Sequence, residues 1–248
     1  TPYFEWVIGI GMLVFGINFN LIYLFLLGKF KQVWESEELK WYILIVTGAV
    51  GLICMNLFST YDSFSVLIRD VFFTVSSIIT TTGFSTADFG KWPLFSQTIL
   101  LLLMFVGACA GSTAGGLKVS RVVVYAKIFV AEVKRMANPS RIVTVLYDKK
   151  PLNKNTKHSV ANYLIIYFLL FAGMLVLLTL DVPDFLSAFS AVAATFNNIG
   201  PALGVVGPAH SFAELTDFSK IILSFGMLAG RLEIFPILIL FSPRTWKK

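Results

Sequence analysis

Thr80–Phe84 reads TTTGF, and 117 positions later Asn197–Pro201 reads NNIGP. Each pentapeptide is polar and glycine-containing, and each stands between a short apolar stretch and a long one. Such a break is costly in lipid unless protein covers its backbone or it lines water. What it offers chemically is a row of carbonyl oxygens, which can replace the hydration shell of a bare cation. Glycine takes a positive φ without steric cost, and that is the role expected of Gly83 and Gly200. The candidate cation ligands are the carbonyls of Thr81 and Thr82 and those of Asn198 and Ile199. The Thr80 hydroxyl and the Asn197 amide are expected to buttress the loops. An ion pore is the first function these residues imply, because a helix-breaking turn in an ordinary transporter does not account for the repetition.

Two further features bear on such a pore. GACAGSTAGG, Gly107–Gly116, falls in the inner half of an apolar segment, where its run of Gly, Ser and Thr favours unwinding. Gly107, Gly111, Ser112, Thr113, Gly115 and Gly116 are expected to form an intramembrane loop beneath the pentapeptides that obstructs the path and moves. The competing reading is a small-residue helix contact, since Gly107 and Gly111 have the required spacing. Arg231 lies within another apolar segment, where a charge must face a cavity or a partner. A fixed positive charge there would raise a barrier to cations, which makes Arg231 a candidate gate. Glu233 or a carbonyl of the glycine loop could also hold it. Lys118 and Arg121 are expected to anchor the cytoplasmic side.

The elements that position these residues follow from composition. The chain is 56% hydrophobic and only 14% charged over 248 residues, with a mean hydropathy of +0.79. Tyr3–Leu27, Trp41–Phe58, Leu94–Cys109, His158–Leu180 and Phe218–Phe241 each read as a membrane crossing. The first lacks a basic leader and carries Glu5, Asn18 and Asn20, so it reads as a crossing rather than a signal peptide. Of the 20 Lys and Arg, ten lie in Leu117–Lys157, three in Gly28–Lys40 and three in Ser242–Lys248. The positive-inside rule places those stretches in the cytoplasm.

Two half-length helices, Val66–Ile79 and Phe185–Phe196, are too short to cross and must dip in from outside. Their C-terminal ends, the negative ends of the helix dipoles, would then point at the pentapeptides. The fold class expected is an all-α membrane protein of repeated helix–pore loop–helix units, like potassium channels. Gly11-Met12-Leu13 resembles Gly226-Met227-Leu228, so residues 1–40 read as a closing helix of an earlier unit plus a linker. Residues 41–157 form one complete unit with the glycine loop and basic segment, and 158–248 form the next. The chain thus reads as starting in mid-unit, as a fragment or as one product of a split reading frame. A carbonyl-lined pore needs about four such loops around its axis, and two are present.

Other classes fit poorly. Gly111–Lys118 reads GSTAGGLK, with Leu117 where a phosphate-binding loop needs Lys. Topology accounts for the basic charge, so no nucleic-acid partner is expected. Cys54 and Cys109 fall in apolar spans and suggest neither a disulfide nor a metal site. His158 and His210 fall on opposite sides of the membrane, and no catalytic constellation or organic cofactor is expected. A membrane-embedded scaffold that conducts nothing alone, holding half a pore, is the alternative from another class.

TTTGFSTADF, GACAGSTAGGLKVSR, FNNIGPALGVVGP and MLAGRLEIFPILILFSPRTW together resemble the Trk/Ktr/HKT superfamily of potassium transporters, and most closely the membrane subunits of bacterial Trk systems. The likeness covers essentially the whole chain. It implies four helix–pore–helix repeats around one pore, of which this chain holds the third and fourth and the closing helix of the second. It implies that Gly83 and Gly200 are two of four filter glycines, Gly107–Gly116 the gating loop and Arg231 the pore arginine. It further implies potassium as the transported ion, a homodimer in the bacterial inner membrane, and a cytoplasmic nucleotide-binding regulatory subunit docking on Leu117–Lys157 and the C-terminus. Selectivity in that family depends on a filter position of the first repeat, so a sodium-permeable or mixed-cation member is the alternative.

Overall fold

The computed structural model describes residues 1–138 and 143–232, and beyond them the single positions 234, 236, 239 and 246. Among the described residues, two helices are by themselves long and apolar enough to cross a membrane: α4, Glu37–Leu57, and α8, Lys154–Leu178. In α4, Ser36 caps the first turn by accepting the Leu39 N–H at 3.4 Å. Tyr42, Val46, Ala49, Ile53 and Leu57 are buried at helical spacing, while Leu44, Leu52 and Met55 face outward. In α8, Tyr163, Tyr167, Phe171, Met174 and Leu178 turn inward, and Ile165, Leu169 and Val176 are exposed. Outward apolar faces of this kind suit hydrocarbon, so the inner faces hold by close packing rather than by removal from water.

The half-length helices follow. Helix α5, Phe64–Ile79, begins two residues before the expected start, and α9 spans Phe185–Phe196 as expected. At 16 and 12 residues they reach about 24 and 18 Å. Nine of the twelve residues of α9 are buried, so α9 lies inside the molecule rather than along its lipid face. Asp184 caps it, accepting the Ser187 N–H at 2.9 Å and the Ser187 hydroxyl at 2.6 Å. Helix α10, Asp217–Arg231, packs along α9, and α8 lies beside both.

One expected crossing is corrected. The first segment is α1, Pro2–Phe15, and α2, Phe19–Leu26, which meet at a bend of 102°. Asn18 starts α2 by accepting the Asn20 N–H at 2.9 Å. An Asn two residues past a glycine is a helix start hidden in an apolar run. In Leu94–Cys109, α6 covers Leu94–Val106 and stops at Gly107, whose φ is +68°, where the glycine run was expected to unwind it. In Phe218–Phe241 the described helix ends at Arg231; most of the remainder, with Glu233, lies outside the described residues.

Around the basic stretch, α3 spans Phe30–Glu35 and α7 spans Val119–Ala137. Strands β1, Leu146–Tyr147, and β2, Lys150–Pro151, pair antiparallel across a two-residue turn with positive φ at Asp148 and Lys149. This hairpin docks on the start of α4. Asp148 accepts the Glu37 N–H at 2.8 Å, and Lys127 reaches Glu37 at 2.5 Å.

Candidate functional site

The two pentapeptides end their helices alike. Thr80 and Asn197 end α5 and α9 with nearly equal dihedrals, φ −85° and ψ 0° against φ −91° and ψ 3°. Thr81 and Asn198 then turn left-handed, at φ 54° and 57°. The Thr82 N–H returns to the Ser77 carbonyl at 2.9 Å, and the Ile199 N–H returns to Ala194 at 2.7 Å. This reach across five residues, with a left-handed residue inside it, is the Schellman helix ending. The cap side chains match as well: the Thr80 hydroxyl donates to the Ser76 carbonyl at 2.6 Å, and the Asn197 amide donates to Ala193 at 2.8 Å. Both therefore brace the loops. The Tyr167 hydroxyl fixes the other end of the Asn197 amide at 2.7 Å.

Gly83 and Gly200 have φ of +81° and +115°, as the sequence implied. Thr81 was expected only as a carbonyl ligand. A β-branched residue in the left-handed region costs about 1–3 kcal/mol and persists only where its surroundings hold it. The two loops touch. A Cβ built on Gly83 would stand 2.0 Å from the Ile199 carbonyl oxygen.

Below them, Gly107–Gly116 is a loop closed on itself. Positive φ at Gly107 and Gly111 removes the packed-helix alternative. A Cβ on Gly107 would meet the Gly115 oxygen at 2.5 Å, so the entry and exit of the loop pass in contact. The broken ends of α1 and α2 hold it, because the Cys109 N–H donates to Gly16 at 3.1 Å and Gly111 accepts the Phe19 N–H at 3.2 Å. The bend in the first segment thereby frees backbone groups that the loop satisfies. At its far end the Gly115 N–H donates to the Thr81 hydroxyl at 2.7 Å. A Cβ on Gly115 would lie 2.3 Å from the Asn197 carbonyl oxygen, so the loop abuts both pentapeptides.

Arg231 reaches this loop, its Nη1 donating to the Thr113 carbonyl at 2.9 Å. Gly230 lets α10 come so close, since a Cβ there would stand 1.7 Å from the Phe196 carbonyl oxygen. Residues 111–116, Lys118, Gly230 and Arg231 surround a cavity of about 360 Å³. Lys118 bonds the Ala114 carbonyl, and Arg121 lies over the Tyr163 ring at 4.0 Å. Electrostatically, the carbonyl ends of α5 and α9 favour a cation between the pentapeptides, and Arg231 disfavours one below.

Glu38 was missed. It is only 5% exposed, and its Oε1 accepts the Ala110 N–H at 2.6 Å and the Ser120 N–H at 3.2 Å. One carboxylate thus joins the entry of the glycine loop to the first turn of α7, where a helix N-terminus favours negative charge. Its signal in the sequence, Ser36-Glu37-Glu38, reads as an ordinary acidic helix start.

A family profile described as "TrkH: Cation transport protein" matches residues 1–248. The Trk system potassium uptake protein TrkH of Salmonella typhimurium is 37% identical over 252 residues, covering 100% of this chain and 52% of that protein. TrkG of Escherichia coli is 33% identical, with 98% of this chain and 50% of TrkG covered. The crystal structure of the potassium transporter TrkH from Vibrio parahaemolyticus superposes with a TM-score of 0.90 at 34% identity, over 100% of this chain and 53% of that one. The chain spans about half the length of the curated relatives it matches. Motifs, helical architecture and a family match over residues 1–248 agree: this is a multi-pass membrane protein that belongs to the TrkH family of cation transport proteins.

Proposed function

We propose that the chain supplies two quarters of a potassium-selective pore, through which a gated Trk-type transporter takes up potassium across the bacterial cytoplasmic membrane. The observation that carries this is the matching Schellman helix ending at Thr80–Thr82 and Asn197–Ile199, with both loops in contact. Carbonyls of Thr81, Thr82, Asn198 and Ile199 replace water around the ion, and Gly83 and Gly200 permit the extended path. Relatives named as potassium uptake proteins support potassium as the ion. Residues 41–157 and 158–248 then act as two helix–pore–helix repeats, and residues 1–40 close an earlier one. The glycine loop and Arg231, which touch each other, form the gate beneath. The working assembly is a homodimer, and the basic face at Leu117–Lys157 receives a cytoplasmic nucleotide-binding regulatory subunit.

Rubidium uptake by cells expressing the protein tests this. Gly83→Val or Gly200→Val should bring uptake to background while the protein still reaches the membrane. Wild-type uptake by both variants would refute the reading.

A further inference from the structure

Thr81 stands where the candidate gate meets the candidate filter. Its backbone is left-handed at φ 54°, a conformation that a β-branched side chain resists. Its hydroxyl accepts the Gly115 N–H at 2.7 Å, 34 residues along the chain. Gly115 has no room to shift toward the other loop, because the Asn197 carbonyl oxygen lies 2.3 Å from where its Cβ would be. Asn198 occupies the position equivalent to Thr81, and its amide donates instead to the Met227 carbonyl at 3.0 Å on α10. The two loops are thus tied differently, the second to a fixed helix and the first to the glycine loop.

We infer that the Thr81 hydroxyl is a latch that holds the glycine loop against the underside of the filter, making Thr81 a positioning residue for the gate. This rests on the pore reading above. The loop cannot descend without breaking the Thr81–Gly115 bond, and a descended loop leaves Thr81 without one of the contacts that hold its strained backbone. Position of the gate and conformation of the filter are therefore set together. Gly16, Phe19 and Glu38 anchor the entry half of the loop, and Arg231 and Lys118 hold the Thr113 and Ala114 carbonyls near its far end. Of these anchors and the latch, only the Thr81 bond ties the loop directly to a pentapeptide side chain.

Thr81→Val keeps the branched shape and the strain but deletes the acceptor; Thr81→Ser keeps the acceptor. A neutral hydrogen bond of about 1 kcal/mol corresponds to a shift of roughly fivefold. Rubidium uptake per membrane-inserted protein should be about fivefold higher in Thr81→Val than in Thr81→Ser, two variants that share the same backbone carbonyl. A second measurement reads the loop directly. In a Ser112→Cys background, Thr81→Val should speed labelling of the introduced thiol by a water-soluble reagent applied from the cytoplasmic side, and Thr81→Ser should not. Should Thr81→Val fail to reach the membrane, Thr81→Ala takes its place in both assays. Equal uptake and equal labelling in the Val (or Ala) and Ser variants overturn the latch. If Gly83→Val abolishes uptake in the same experiment, the pore reading survives that result; if Gly83→Val and Gly200→Val both transport like wild type, the pore reading itself has failed.

Discussion

Gly83→Ala separates steric from conformational demands at the filter, because Gly200 supplies an internal control. An alanine Cβ at Gly83 would stand 2.0 Å from the Ile199 carbonyl oxygen, where ordinary contact begins at 3.4 Å. The carbonyl must therefore retreat by roughly 1.4 Å, comparable to a whole bond length. Overpacking against backbone costs about 1–3 kcal/mol, and the left-handed φ of +81° adds about 1–2 kcal/mol for a side-chain-bearing residue. Together, about 2–5 kcal/mol disfavours the conducting geometry, which lowers uptake on the order of 30-fold or more. At Gly200 nothing described lies within 4 Å of the added carbon. Gly200→Ala therefore carries only the conformational cost, a loss on the order of 5- to 30-fold. The assay is rubidium uptake normalised to protein in the membrane, with potassium-over-sodium preference measured alongside. Wild-type transport by Gly83→Ala, or greater damage from Gly200→Ala, refutes the reasoning.

Other perturbations test separate parts. Arg231→Ala removes the charge that rests on Thr113 and should raise uptake severalfold; an unchanged or lower rate assigns Arg231 to holding the loop instead. Gly230→Ala must drive α10 from the Phe196 carbonyl oxygen, now 1.7 Å from the Cβ position. It should cost about 1–3 kcal/mol, seen as a lower thermal midpoint in detergent, and an unmoved midpoint contradicts the packing. Asp184→Ala removes the cap of α9 at a cost of about 1 kcal/mol. Hydrogen bonds from the Ser187 hydroxyl and N–H hold the Asp184 carboxyl below the usual range. Its stabilisation is thus complete above the unfolded pKa of about 3.9 and fades as pH falls through the lower folded value. Melting curves of wild type and variant should differ at pH 5–7 and converge only in stronger acid; convergence already at pH 6 overturns the assignment.

Much of the geometry of the candidate filter is legible because it is local. Short apolar runs end at Thr80 and Asn197, and glycine stands three residues later in each copy, so helix ends and positive φ follow from propensity alone. Thr81 is not legible, since a β-branched residue is a poor candidate for a left-handed turn until its partner at Gly115 is known. The bend at Gly16–Asn18 is hidden because hydropathy averages over the break, and the groups that compensate it, at Cys109 and Gly111, lie far along the chain. Glu38 is hidden for the same reason: its partner at Ala110 is 72 residues away. Helix α6 is shorter than its apolar run because glycine geometry, not polarity, ends it at Gly107.

The separation of Glu38 from Ala110 has a consequence for how the protein is made. The ribosome delivers α4, with its carboxylate, well before the backbone amides that satisfy it exist. Glu38, in the first turn of α4, therefore gains its two backbone donors only once α6 and the start of α7 have been made. The glycine loop in turn gains its last contacts only when α9 and α10 follow, because Asn197 abuts Gly115 and Arg231 donates to Thr113.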